Sequence, residues 1–214
     1  MVINNLSSLK DVMRAARCDA ILITGIENIC YLTGFTGSSG VLLITDKGGI
    51  FFTDSRYTEQ AGKEIKGKVK IREYKKQVPE LSAAIIDARL KEVGFEDSDL
   101  TFQLYQALKK ELKGVKLVPL KDRLTLLRGV KTKGELRLIS GAVDIAYKAF
   151  EKLLPSIKPG KSEDDLAVEL EYLIRKGGAE GLSFDVIVAS GGRSALPHGR
   201  ASDKLLKMGD PVVI

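Results

Sequence analysis

The chain is poor in the residues that most chemistries require. Among 214 residues there is one histidine, two cysteines and no tryptophan. Cys18 and Cys30 lack metal-ligand spacing, which excludes a disulfide framework and a thiolate zinc site. They read as reduced, small buried hydrophobes in a cytoplasmic protein. No apolar run approaches the roughly 20 residues of a membrane span, so no membrane is expected as a partner. The opening residues Met1-Val2-Ile3-Asn4-Asn5 lack the basic and apolar regions of a signal peptide. Aromatics make up only 6% and do not alternate with basic residues as a base-stacking platform would require. The net charge of +6, from 34 Lys+Arg against 28 Asp+Glu, therefore reads as a solvated surface with no nucleic acid on it.

What is present suffices for a globular fold. Hydrophobic residues are 44% and charged residues 29%, enough to bury one large core or two small ones. Helical and strand periodicities alternate through the first half. Leu6, Leu9, Met13 and Ala16 share a helix face, and 20–23 is a short apolar strand. Residues 41–44 and 50–53 flank Asp46-Lys47-Gly48-Gly49 as a hairpin. A half-buried strand at 69–74, helices at 81–93 and 102–112 and a strand at 115–120 complete an α/β domain with a mixed sheet over 1–120. Residues 121–131 read as a linker.

Beyond it, Thr132 and Glu135 have capping-box spacing. Leu136, Ile139, Val143, Tyr147, Phe150 and Leu154 then form one apolar stripe on a long helix ended by Pro155. Ser162 caps a second helix, with Asp164 and Asp165 in its first turn and Leu166, Leu170, Leu173 and Ile174 as its stripe. Residues 184–189 and 211–214 read as strands around a polar loop. Two helices followed by two strands make part of an α+β layer over 132–214, and its apolar surface is expected to be incompletely covered.

Several motifs carry less than they suggest. Gly160-Lys161-Ser162 has Pro155 where a phosphate-binding loop needs glycine, so it is a turn ending in a serine cap. Gly34, Gly37 and Gly40 read as a turn. Ser190-Gly191-Gly192-Arg193-Ser194 has nest-forming composition but runs into another loop. Asp54-Ser55-Arg56-Tyr57 reads as a turn with an Asp cap and a surface ion pair. His198 stands in Ser-Ala-Leu-Pro-His-Gly, where Pro197 restricts the loop and Gly199 admits close backbone approach. From composition alone it is either a proton-handling residue or an exposed loop histidine.

The block 183–191, followed by Arg193-Ser194-Ala195-Leu196-Pro197-His198-Gly199, Ser202-Asp203 and Gly209-Asp210, resembles the prolidase and aminopeptidase P branch of the creatinase-like metallopeptidases. Tyr31-Leu32-Thr33-Gly34-Phe35, Thr53-Asp54-Ser55-Arg56-Tyr57 and Lys158-Pro159-Gly160 with Glu163 are similar to the same family. The resemblance implies a creatinase-like N-terminal α/β domain followed by the first half of an α+β "pita-bread" catalytic domain. It implies hydrolysis of the bond preceding proline, in a dipeptide or a longer peptide, by two divalent metal ions (Mn, Co or Zn) in the intact enzyme. It casts His198 as a substrate contact and proton shuttle and Phe184 as a pocket wall. Arg56 would reach the site of a partner subunit in a homodimer. The family's metal ligands match no residue here, since the first would follow a strand like 212–214. The chain alone is therefore expected to bind no metal. The alternative expectation is a short, non-catalytic family member that binds peptide or a second subunit.

Overall fold

The computed structural model describes residues 6–214, with side chains from residue 8 onward. The opening Met1 to Asn5 and the side chain of Leu6, both used above, lie outside the described residues. The chain forms two compact units, residues 1–130 and 131–214.

In the first unit, α1 (Leu6–Ala16), β1 (Ala20–Ile23), α2 (Ile26–Thr33), β2 (Val41–Thr45), β3 (Gly48–Thr53) and α3 (Thr58–Glu64) come first. Then follow β4 (Val69–Glu73), α4 (Gln77–Asp87), β5 (Glu92–Phe95), α5 (Phe102–Glu111), β6 (Lys116–Pro119) and α6 (Arg123–Leu127). The sheet order is β4-β3-β2-β1-β5-β6. The β1–β2 and β2–β3 pairs are antiparallel; β3–β4, β1–β5 and β5–β6 are parallel. The central strand β1 is buried along its whole length, which is why it reads as an unbroken apolar run.

Alternate residues of the central strands feed two cores. Ile21, Ile23, Leu42, Ile44 and Phe51 pack with residues of α1, α2 and α6 on one face. Ala20, Leu22, Val41, Leu43 and Phe52 pack with α4 and α5 on the other.

Three sequence expectations change here. The helix read at 81–93 ends at Asp87, because Arg89 turns the chain at φ 54 and the Leu90 amide bonds back to Ile85. This frees 92–95 to pair with β1 and β6 as a strand. Residues 121–131 contain α6, whose Leu124 is buried in the first core. The short helices α2 and α3 escaped the periodicity. Gly34 ends α2 at φ 79, so the glycine-spaced segment is a turn, as read.

Buried in this unit is Glu96, only 3% exposed. Its carboxylate accepts the amides of Thr24 (2.6 Å) and Gly25 (2.7 Å) and the side-chain amide of Asn28. Two of these donors are the backbone amides just before α2, that of its N-cap residue Gly25 among them, held by a residue some 70 positions away in sequence. Burial pushes this carboxyl above its ordinary value, and the three donors only partly offset it.

The second unit holds α7 (Lys133–Leu153), α8 (Glu163–Lys176), β7 (Ala189–Ser190) and β8 (Val212–Val213). Both expected N-caps form: Thr132 with Glu135, and Ser162 with Asp165, are reciprocal capping boxes. The unit's core joins Ala149 and Leu153 of α7 to Leu166 and Leu170 of α8, Val188 and Leu206. The stripe Leu136, Ile139, Val143, Tyr147, Phe150 and Leu154 is exposed, in keeping with the incompletely covered apolar surface expected of 132–214. A 3.6-residue period marks residues that share a face, not what covers that face. The strand read at 184–189 is shorter too. Only 189–190 pair, with β8, and Ile187 forms one bridge to Arg200.

Replacing Glu96 with Ala leaves the buried amides at the start of α2 without an acceptor. It should lower unfolding stability by about 1–3 kcal/mol in urea titration. A loss within about 0.3 kcal/mol would show that the cap carries no weight.

Candidate active site

Glu163 is the first residue of α8, and its side chain is completely buried. It lies three residues before Leu166 and seven before Leu170, on the helix face that enters the core. A carboxylate there stays ionised only if donors surround it. Four do: Oε1 accepts the Ser190 amide (2.8 Å) and the Ser190 hydroxyl (2.8 Å), and Oε2 accepts the Ser202 hydroxyl (2.7 Å) and Nε of Arg193 (3.0 Å). Burial by itself would push the Glu163 carboxyl up. The Ser202 and Ser190 donors and the Arg193 charge outweigh it and hold the carboxyl below its ordinary value. The N-terminus of α8 acts in the same direction.

A second layer surrounds this centre. Lys204 donates from Nζ to the Ser190 hydroxyl (2.6 Å) and to Asp210 (2.9 Å). Lys204 in turn holds the Asp210 carboxyl below its ordinary value. The anion received by the Ser190 segment is thus the protein's own Glu163, which agrees with the sequence argument against a phosphate site there.

The predicted site residues are placed as follows. His198 is exposed on the turn at 197–198. Phe184 is 72% exposed and lines an apolar cavity of about 1270 Å³ with Leu138, Ile145, Ile174, Pro197 and Ile214. Phe184 and Pro197, the residue before His198, therefore face one space. Arg56 belongs to the first unit, where Nε and Nη2 make a bidentate pair with Asp54, each at 2.9 Å, and the guanidinium lies 5.3 Å from the Tyr57 ring centre. Arg56 beside it holds the Asp54 carboxyl below its ordinary value. The Asp turn and surface ion pair read from the sequence are both present. Of the cysteines, Cys18 is buried as expected but Cys30 is exposed on α2. Glu163 and Lys204 are the residues that sequence reasoning did not place in a site. The signal for Glu163 was its position on the apolar stripe of α8.

The chain belongs to the creatinase/prolidase family: residues 5–130 match the Creatinase/Prolidase N-terminal domain, and 137–214 match Metallopeptidase family M24. It is 40% identical over 210 residues to the uncharacterized peptidase YqhT of Bacillus subtilis (strain 168), covering 98% of this chain and 59% of that protein. It is 35% identical over 197 residues to the Xaa-Pro dipeptidase of Pyrococcus horikoshii, covering 92% of this chain and 54% of the relative. Among solved structures, the Xaa-Pro dipeptidase from Bacillus anthracis superposes with a TM-score of 0.92 at 38% identity, over 98% of this chain and 59% of that one. The chain thus spans somewhat more than half the length of the relatives it matches. The expected fold class holds: a creatinase-like mixed α/β domain followed by part of a pita-bread metallopeptidase domain.

Membership of a metallopeptidase family implies divalent metals in the intact enzyme. The residues described here do not fit such a centre, since no group of three or more His, Cys, Asp or Glu among them is placed to hold an ion. No described helix is long and apolar enough to cross a membrane.

The folded chain holds Glu163 ionised at a pH where the unfolded chain protonates it. Its contribution to stability is fully present above the ordinary value of 4.5 and is lost as pH falls through the lower folded value. Glu163→Gln should therefore cost about 1–3 kcal/mol at neutral pH and flatten the acid limb of the stability–pH curve. An acid limb as steep as that of the wild type would refute the ionised assignment.

Proposed function

We propose that this chain is the substrate-positioning and proton-handling part of an Xaa-Pro dipeptidase or aminopeptidase. The observation that carries the reading is the His198 turn, anchored through the half-exposed Arg193 on the buried Glu163 and set beside the cavity that Phe184 lines. Kinship with Xaa-Pro dipeptidases supports the substrate class.

The chemistry suits a histidine. The nitrogen of an X-Pro bond carries no hydrogen, and the ring restricts the backbone on its C-terminal side. When the bond breaks, the departing proline nitrogen must gain a proton. Imidazole gives and takes protons near neutral pH, and the His198 ring is exposed next in sequence to Pro197, which lines the cavity. Phe184 forms a wall of that cavity, and its ring suits the apolar face of proline. Arg56, on the first unit, serves the site of a partner subunit, so the working form is a homodimer in the cytoplasm. Two divalent ions, Mn, Co or Zn, complete the intact enzyme.

The test is X-Pro dipeptide hydrolysis by the native product with Mn, Co or Zn supplied. His198→Ala should lower kcat by ~10²–10⁴-fold. Because His198 is an exposed turn residue, the same change should alter unfolding stability by no more than about 0.5 kcal/mol. A variant with near-full turnover would remove His198 from the mechanism. Absence of X-Pro hydrolysis by the native product would favour the non-catalytic, subunit- or peptide-binding role.

A further inference from the structure

The bonds around Glu163 come from both sides of His198 in sequence. Before the turn, Glu163 holds Ser190 through its amide and hydroxyl, and Arg193 through Nε. After the turn it holds the Ser202 hydroxyl. Arg193 spans the gap: Nη2 donates to the carbonyl of Arg200 at 2.6 Å, so one guanidinium ties both ends of the segment 193–200. Inside that closed segment, the Leu196 amide bonds to the Arg193 carbonyl (2.9 Å) and the Gly199 amide to the Leu196 carbonyl (3.2 Å). Gly199 is buried, and a Cβ built on it would lie 3.0 Å from Cβ of Ala189. The turn therefore rests its backbone on β7 while His198 stays exposed.

We propose that Glu163 is a positioning residue for His198, acting through Arg193, so that the buried carboxylate sets where the exposed imidazole stands. The proposal rests on the reading of His198 as the proton-transferring group. The physical reason is selection of one loop conformation out of many. A six-residue span between Arg193 and Arg200, held only by its covalent ends, samples many backbone states. The guanidinium fork can satisfy Glu163 and the Arg200 carbonyl together in few of them, since its donors are planar and fixed relative to one another. A lysine keeps the charge but not the fork.

The chain's single histidine makes this directly measurable, because its imidazole gives one Cε1–H resonance in NMR spectra of the 214-residue chain. In Glu163→Gln and in Arg193→Lys, that resonance should be displaced and broadened by loop averaging. Arg175→Ala, which removes an exposed ion pair on the same helix, should leave it in place. Should Glu163→Gln fail to fold, Arg193→Lys gives the same reading with the carboxylate intact. In an Xaa-Pro hydrolysing enzyme the two loop variants should lower kcat by up to ~10²-fold, the scale of a small misplacement, with KM little changed. A role confined to stability would lower the unfolding midpoint and leave both the resonance and kcat unaltered. Folded Glu163→Gln and Arg193→Lys proteins with a wild-type His198 resonance would overturn the proposal. That readout does not depend on turnover, so its failure is distinct from failure of the proton-transfer reading, which His198→Ala tests.

Discussion

The second unit is organised by the requirement that one buried carboxylate be satisfied. Glu163 occupies a core-facing position at the start of α8, where an apolar residue would pack without cost, and an ion there must recruit donors or become protonated. The donors come from Ser190, Arg193 and Ser202, 27 to 39 residues further along the chain. Drawing them in closes the 193–200 segment, seats its return on β7 and turns His198 outward. Lys204 then donates to the Ser190 hydroxyl and is itself held by Asp210, so the network leaves few bonds to chance.

The first unit contains a counterpart. Glu96 is also buried and also gathers donors from a distant segment, at the start of α2. The two carboxyls nevertheless shift in opposite directions. Burial dominates at Glu96, whose donors are neutral amides and whose neighbour Asp99 adds a like charge. At Glu163 two hydroxyls, an amide and a guanidinium together exceed the burial penalty. The presence of a cation separates a carboxylate that caps a helix from one that also holds an ionic clamp. As pH rises through the carboxylate range, the two contribute to stability with opposite sign.

Much of the fold was legible in local pattern, and the exceptions have physical causes. The central strands 20–23 and 41–45, the helices at 6–16 and 102–111 and both capping boxes follow from apolar periodicity and cap chemistry. The strand 92–95 was hidden because only the four residues 88–91 separate it from a helix, and its pairing with β1 and β6 is what marks it as extended. The helices α2 and α3, of eight and seven residues, are too short for a period to stand out. Within the site, the Pro-His-Gly turn drew attention through residue type. Glu163 could have been picked out by its register with Leu166 and Leu170, yet it sits beside Asp164 and Asp165 and resembles ordinary first-turn acid.

The sequence by itself determined the class of the elements with a clear period, the helix starts at Thr132 and Ser162, the α/β character of the first 120 residues and the candidate histidine. These depend on interactions within a few residues, which a linear pattern records. Only the tertiary structure decided which of three consecutive acids is buried, which donors meet it, and that Arg193 bridges both ends of the histidine segment. It also decided that the apolar stripe of α7 lies exposed while Ala149 and Leu153 are covered. Burial and hydrogen-bond partnership are relations between residues tens of positions apart, and local periodicity carries no information about who the distant partner is.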